Sequence, residues 1–179
     1  MSVEVRPYSR YSGKFVSVGG FTYNVKTIPD EFTLVANILD ENTEEHIIKL
    51  INNNKNIEIK EIMKCIASEF QGELKYKLNE FTFGKIKAGD GMQPEKEDSK
   101  YYNPCVIVMN LGTDIEFVLL DQKTRKQIPI ILPRRSMFLL QDTQFKYQRL
   151  IAKRYIDKID NEEIKRGDRY SLVFKCRKG

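Results

Sequence analysis

The chain contains 179 residues, of which 41% are hydrophobic and 31% are charged, and its formal net charge is +5. This length and composition predict a single globular domain with a substantial core and argue against a disordered chain. Because no apolar run approaches about 18 residues and no apolar leader opens the chain, we expect an intracellular protein without a transmembrane helix or a secretory signal. A cytoplasmic or nuclear location is favoured, and an organellar one stays open as an alternative.

The first part of the chain divides into an arm, a strand and two helices. Residues 1–19 are polar and end in glycine, which indicates an N-terminal arm ahead of a domain at residues 20–179. A short strand is predicted near Phe32–Ala36. Two amphipathic helices follow at about Thr43–Asn52 and Ile59–Phe70, because their apolar residues recur at helical spacing.

The first predicted helix carries the chain's one histidine, His46. Asp40 or Asn42 is a suitable N-cap for this helix, because a short polar side chain can accept a hydrogen bond from the free backbone N–H groups of the first turn. His46 has charged neighbours and no second residue at metal-binding spacing. We therefore expect a partly exposed helical histidine rather than a ligand.

Beyond Gly72 the apolar pattern changes to the period of two that predicts strands. Alternation begins at Phe81 and Phe83. Turn residues then separate a series of short apolar runs, namely Val106–Leu111, Ile115–Leu120, Ile128–Leu132, Met137–Leu140 and Tyr170–Cys176. Two helices followed by a run of strands predict an α+β protein in which the helices pack on a jelly-roll core, also called a double-stranded β-helix.

The three cysteines predict neither a disulfide framework nor a zinc site. Cys65, Cys105 and Cys176 are odd in number and widely spaced, and each lies in or beside an apolar run. A free cysteine in such a run behaves as a small hydrophobic residue. The absence of a CxxC motif and of a His/Cys cluster indicates reduced thiols and no structural metal.

Charge is unevenly distributed along the chain. From Lys123 to Gly179 there are 16 Lys and Arg against 6 Asp and Glu, a balance of +10, so the part before Lys123 sums to −5. Such a basic segment is typical of a surface that faces single-stranded RNA or DNA, particularly with Tyr147 and Tyr155 interleaved. The candidate contacts are Arg134, Arg135, Lys146, Lys153 and Arg154. A solvated basic face without a ligand and a surface for an acidic protein remain open alternatives.

Several segments, in order and at family-like spacing, resemble the AlkB family of 2-oxoglutarate/iron(II) dioxygenases. The matching segments are Ile28–Asn52, Gly89–Glu97, Pro104–Gly112 (PCVIVMNLG), Leu132–Gln141 (LPRRSMFLLQ) and Arg169–Lys175 (RYSLVFK). The resemblance implies a double-stranded β-helix. That family holds iron with two histidines and one carboxylate, which this chain cannot supply because it has one histidine.

The resemblance implies that the family's metal ligands are replaced. Its HxD histidine and aspartate fall on Glu95 and Glu97, and its distal histidine falls on Arg149, or on Gln148 if the register slips by one. Arginine stays protonated and has no acceptor, so it cannot bind a metal. We therefore predict no bound iron and an ion-pair cluster of Glu95, Glu97 and Arg149.

The positions that would bind 2-oxoglutarate are altered as well. The closing motif of the family corresponds to Arg169, Ser171 and Lys175, a vestigial site in which lysine replaces the last arginine. The family's tyrosine falls near Ile86, which has no hydroxyl. The segment Asn54–Lys77 is too short for the lid with which that family grips a base. Loss of 2-oxoglutarate and of flipped-base recognition is expected.

These inferences favour a catalytically inactive AlkB-like domain that acts as a binding or scaffold subunit in a nucleic-acid-handling complex, with RNA as the favoured partner. One alternative is an active 2-oxoglutarate-dependent oxygenase or demethylase with atypical metal ligands. Another is a structural subunit that binds an acidic protein through its basic face.

Overall fold

The computed structural model describes residues 15–18, 21–24, 32–142, 144–159 and 162–179. Within these ranges two α-helices are present, α1 at Glu41–Asn52 and α2 at Asn56–Phe70. The strands are β1 (Phe15–Val18), β2 (Phe21–Asn24), β3 (Phe32–Val35), β4 (Glu80–Ile86), β5 (Met92–Glu95), β6 (Tyr102–Leu111), β7 (Ile115–Asp121), β8 (Gln127–Leu132), β9 (Ser136–Gln141), β10 (Tyr147–Ile151), β11 (Ile156–Ile159), β12 (Glu162–Lys165) and β13 (Arg169–Arg177).

Two antiparallel sheets face each other in a jelly-roll-like arrangement. One has five strands in the order β3-β9-β6-β13-β4, and the other has four in the order β5-β10-β7-β8. Along the chain, the strands from β4 onward pass back and forth between the two sheets, which is how a jelly roll closes its core. The hairpin of β11 and β12, which the sequence did not predict, precedes the final strand.

The predicted arm at residues 1–19 lies mostly outside the described residues. Its last part, β1, pairs with β2 in a two-stranded hairpin. The division into an arm and a domain at residues 20–179 therefore stays a prediction.

Local sequence accounts for the start of α1. The Asp40 side chain accepts a hydrogen bond from the backbone N–H of Thr43 at 2.7 Å, so Asp40 is the N-cap. Glu41 and Glu44 follow in the first turn, where negative charge complements the helix dipole. His46 is half-buried, as expected for a helical histidine. Neither helix in the described part of the chain has the length and apolarity that crossing a bilayer requires.

The core has two layers, one on each side of the five-stranded sheet. Ile47 of α1 and Met63 of α2 pack in one cluster with Leu172 of β13, so the helices cover the outer face of the sheet. Between the sheets, the rings of Phe117 and Phe138 lie with centroids 4.8 Å apart. Burial of each such side chain contributes roughly 1.5–3 kcal/mol, so both layers stabilise the fold.

The alternation of side chains along β13 positions the candidate site. Tyr170, Leu172, Phe174 and Cys176 belong to the helix-facing cluster. Because successive side chains of a strand point to opposite faces, the odd-numbered positions from Arg169 to Lys175 face the second sheet. The candidate polar residues of β13 thus lie inside the sandwich.

Candidate functional site

Arg149 and Glu97 form a buried, two-point ion pair between the sheets. Arg149 points inward from β10, because it alternates with the half-buried residues on either side and lies between the buried Tyr147 and Ile151. Its Nη1 donates to Glu97 Oε2 at 2.8 Å and its Nη2 donates to Glu97 Oε1 at 2.5 Å. Lys175 Nζ approaches Oε1 from β13 at 3.5 Å. Both carboxylate oxygens of Glu97 are therefore engaged.

The electrostatics of the pair favour a charged Glu97. Burial opposes ionisation of this carboxyl, but the hydrogen bonds and charge of Arg149, together with the charge of Lys175, hold its pKa below the usual range. Glu97 thus remains a carboxylate inside the protein, and two cations surround it.

Glu95 departs from the predicted three-residue cluster. It is the cross-strand neighbour of Arg149, with β5 and β10 paired at this point, but its side chain is exposed. The salt bridges of Arg149 and Lys175 in the described residues run to Glu97. The prediction was wrong about Glu95, whose charge is solvated by water, and Lys175 is the third member of the cluster instead.

The donor set at this position does not fit an iron centre. Arg149 cannot ligate, and Glu97 could bind a cation only by giving up its two hydrogen bonds to Arg149. His46 lies on α1, outside the space between the sheets. Within the described ranges, no three His, Cys, Asp or Glu side chains are grouped so as to hold a metal ion.

Arg169 is a second buried arginine, at the start of β13. Its Nε donates to Asn110 Oδ1 at 2.8 Å. The Asn110 amide donates in turn to the three backbone carbonyls of Thr113, Leu132 and Pro133. Burial, with a smaller contribution from the charge of Arg166, lowers the pKa of Arg169 to about 10. Among the described residues no carboxylate forms a salt bridge with Arg169.

A row of polar residues crosses the sheet beside Arg169. Gly84, Ser171, Asn110 and Ser136 are successive cross-strand neighbours on β4, β13, β6 and β9, so they share the inward face. Ser136 Oγ is the one buried side-chain polar atom of the described residues without a hydrogen-bond partner. A Cβ placed on Gly84 would meet nothing within 4 Å. The row therefore runs from open space at Gly84 to an unsatisfied hydroxyl at Ser136.

Ile86 is the cross-strand partner of Arg169. It also lines a cleft of about 610 Å³ at the mouth of the sandwich, whose other lining residues are Lys85, Lys87, Asp90, Gly91, Met92, Gln93, Ile151 and Lys153. Lys85 forms a salt bridge with Asp168 at 3.2 Å. Lys87 and Lys153 are exposed, so the cleft has two lysines open to a ligand.

An exposed tyrosine, Tyr155, is placed near this cleft by Gly89. Gly89 has a φ of +87°, and a side chain there would collide with the Tyr155 ring. Glycine is required at this turn both for its positive φ and for this close approach. Tyr155 remains largely exposed.

The predicted nucleic-acid residues do not form one face. Arg134 Nε donates to both oxygens of the buried Glu44, at 2.8 and 2.9 Å, and Arg135 Nη1 donates to Glu44 Oε2 at 3.3 Å. The Glu44 carboxylate also accepts from the backbone N–H of Gly112. Glu44 therefore ties α1 to the β8–β9 turn through the two arginines and to the β6–β7 turn through Gly112.

The remaining candidates are divided between the two ends of β10. Arg154 donates to Asp157 and Glu116 in a second buried charge cluster, with Arg166 as its other cation. Lys146 lies 3.8 Å from Asp121 before β10 begins, whereas Lys153 lines the cleft after β10 ends. The interleaved Tyr147 is buried. Of the five, Lys153 contributes to the cleft of about 610 Å³ described above.

Comparison with known proteins supports the fold. No protein-family model matches the chain. The uncharacterized protein L905 of Acanthamoeba polyphaga mimivirus is 26% identical over 104 residues, which cover 55% of this chain and 48% of that protein, so the match spans about half the length of this relative. The crystal structure of a Pseudomonas putida prolyl-4-hydroxylase matches with a TM-score of 0.55 at 8% identity, covering 83% of this chain and 89% of that chain. The fold therefore resembles that of a 2-oxoglutarate/iron(II) dioxygenase.

Proposed function

We propose that this chain is a non-catalytic jelly-roll domain, a degenerate AlkB-like member of the dioxygenase fold, that acts as a binding or scaffold subunit. The observation that carries the proposal is the two-point contact of Arg149 with Glu97, at the positions where the resemblance puts metal ligands. At these positions an ion pair would hold the surrounding strands in place, as a bound metal does in a related fold.

Electrostatics argue against a divalent cation joining this pair. Two unit charges about 4 Å apart interact by about 4 kcal/mol at an effective dielectric of about 20, and a divalent ion doubles that repulsion from Arg149. Lys175 adds a second nearby cation. A metal would therefore have to displace two cations from Glu97, the one buried carboxylate of the cluster.

Arg169 is the residue of this domain best suited to hold an anionic ligand. A buried guanidinium without a carboxylate partner is costly, and a bound anion would offset part of that cost. Arg169 and the unsatisfied Ser136 hydroxyl lie on either side of Asn110, with the half-buried Ser171 beside it. We propose that a small carboxylate, of which 2-oxoglutarate is one, binds here without a metal, which departs from the loss of 2-oxoglutarate that the sequence led us to expect.

Measurement of metal and turnover tests the non-catalytic proposal. Protein purified without chelators should contain iron and manganese far below one equivalent, and should form no succinate from 2-oxoglutarate. The matched control is Glu97→Gln, because succinate from a contaminating enzyme would persist in this variant. Near-stoichiometric metal with succinate formation that Glu97→Gln abolishes would establish the active oxygenase instead.

A nucleic-acid partner is supported by the mouth of the sandwich, with Lys87 and Lys153 in the cleft and Tyr155 nearby. Single strands bind proteins through phosphate contacts and stacking on aromatic rings. This set replaces the five residues expected from the sequence, of which it keeps Lys153.

Titration of a labelled single-stranded RNA at two salt concentrations tests this partner. We expect salt-sensitive binding, weakened at least tenfold by K87E/K153E and strengthened by D90N. The control is the double variant K123E/K126E, which makes the same charge change on the β7–β8 turn. This turn lies near the start of β10, whereas the cleft lies near its end. Equal losses of RNA affinity in both double variants would mean that the RNA is attracted non-specifically by the net charge. No RNA binding, with retention of an acidic protein, would favour the structural subunit.

A further inference from the structure

Two buried cysteines lie side by side in the five-stranded sheet, and the proposed function uses neither of them. Cys105 is on β6 and Cys176 is on β13, and both are completely buried in the helix-facing cluster. Cys65, by contrast, is exposed on α2.

The strand register brings the two cysteines together. Val106 of β6 pairs with Lys175 of β13, so the next positions along the two antiparallel strands are Cys105 and Cys176. The ladder is irregular from this point to Arg177. In a regular ladder such neighbours have Cα atoms roughly 4.5–5.5 Å apart, within the roughly 4.4–6.8 Å that a disulfide spans. Both side chains belong to the helix-facing cluster, so the two cysteines are neighbours on one face of the sheet.

The two thiols also interact in the reduced protein. Contact with Cys176 is the largest cause that raises the pKa of Cys105, with burial second. The same contact lowers the pKa of Cys176 against the opposing effect of burial. The two thiols are therefore close enough to share a hydrogen bond.

We propose that Cys105 and Cys176 are a thiol-oxidation site that closes an intramolecular disulfide between β6 and β13. This site goes beyond the proposed function and does not depend on it. The co-reactant is a small disulfide. The Cys176 thiolate attacks one of its sulfur atoms, the S–S bond breaks, and one small thiol leaves after taking up a proton. The Cys105 thiolate then attacks Cys176 Sγ and releases the second small thiol, so two protein thiols are oxidised and one disulfide is reduced.

The position of Cys176 explains both how an oxidant would reach the site and what the disulfide would change. The residues after it, from Arg177 to Gly179, are exposed, so opening of the last part of β13 would admit a small oxidant without global unfolding. The bond would join two central strands. It would also fix the backbone beside Lys175, which contacts Glu97 from the opposite face of the sheet.

Oxidation of the full chain carrying C65S tests the site. After prolonged treatment with oxidised glutathione, the titre of free thiols in the unfolded protein should fall from two to zero. The mass should decrease by two hydrogen atoms without a glutathione adduct, and digestion should give a linked peptide of Cys105 and Cys176.

Two results would overturn the proposal. One is that both thiols remain titratable after the oxidant treatment, and the other is a stable glutathione adduct on either cysteine in place of the linked peptide. The wild-type chain tests the same point if C65S folds poorly. There the exposed Cys65 should carry the glutathione adduct, while Cys105 and Cys176 should again be linked to each other.

Discussion

The two buried arginines between the sheets differ in one respect, the presence of a carboxylate. Arg149 is held by both oxygens of Glu97, with Lys175 nearby, whereas Arg169 is held at Nε by an amide oxygen of Asn110. The first arginine is satisfied within the protein, so a ligand would have to break its contacts. The second retains a charge that a ligand could neutralise. The comparison separates a structural ion pair from a proposed binding site, although both came from positions that the resemblance marked as functional.

The largest effect should come from breaking the Arg149 pair on one side. R149M leaves Glu97 buried with Lys175 at 3.5 Å as its remaining cation, and removal of one partner of a buried pair costs about 3–5 kcal/mol. Urea unfolding measures this loss. The control is R149M/E97L, which should recover most of the stability because no buried charge is left unpaired. A double variant as unstable as R149M would mean that packing, and not the ion pair, matters at this position.

The next effect concerns the second arginine. Excess 2-oxoglutarate, without added metal, should raise the free energy of unfolding of the wild-type chain, by about 2.7 kcal/mol at a hundredfold excess over Kd. R169M should abolish the increase, measured as the shift in Tm. R177M changes an exposed arginine of the same strand and should keep it. The same shift in wild type and R169M would exclude Arg169 as the binding residue.

Acid should weaken the first site through Glu97. The pKa of this carboxyl is lowered in the folded chain, so its contribution to stability is complete above its unfolded value of about 4.5 and is lost as the pH falls through the folded value. One such group changes the free energy of unfolding by at most about 1.4 kcal/mol per pH unit. Below pH 4.5, E97Q should reduce the dependence of the free energy of unfolding on pH by up to this amount, which urea unfolding at several pH values measures. An unchanged pH dependence in E97Q, or an equal reduction in the exposed control E95Q, would contradict the assignment.

The smallest effect should come from the unsatisfied hydroxyl of Ser136. S136A removes a buried hydroxyl that has no partner, and should stabilise the free protein by about 1 kcal/mol in urea unfolding. The same change should weaken stabilisation by 2-oxoglutarate if the hydroxyl faces the bound anion. S171A, at a half-buried position, should leave the free protein nearly unchanged. A destabilised S136A would mean that the hydroxyl has a partner after all.

Local sequence was sufficient for much of the fold. Asp40, one of the two predicted candidates, caps α1, because capping depends on residues within one turn. The alternation along β13 likewise follows from the period of two, and it could have indicated that Arg169 and Lys175 share an inward face. The hairpin of β11 and β12 was missed. Its short segments are rich in charge, and its buried anchor is Asp157, which pairs with Arg166.

Long-range pairing accounts for what the sequence did not predict in the site. Arg134 and Arg135 were expected to contact nucleic acid, but their partner Glu44 lies about ninety residues earlier on α1. Glu95 and Glu97 are two residues apart, yet one is exposed and the other buried. The roles of Asn110 and Ser136 depend on the register of three strands. No local pattern contains this information.

The sequence by itself determined the kinds of element, the two helices ahead of a run of strands, and the lack of histidines for an iron centre. These features depend on residue type and on spacing within a few positions. The tertiary structure alone decided which charges are neutralised. Glu97 meets Arg149 and Lys175, while Arg169 meets an amide, because chain segments distant in sequence converge between the sheets. A charge can be read from the sequence, but its partner depends on the fold.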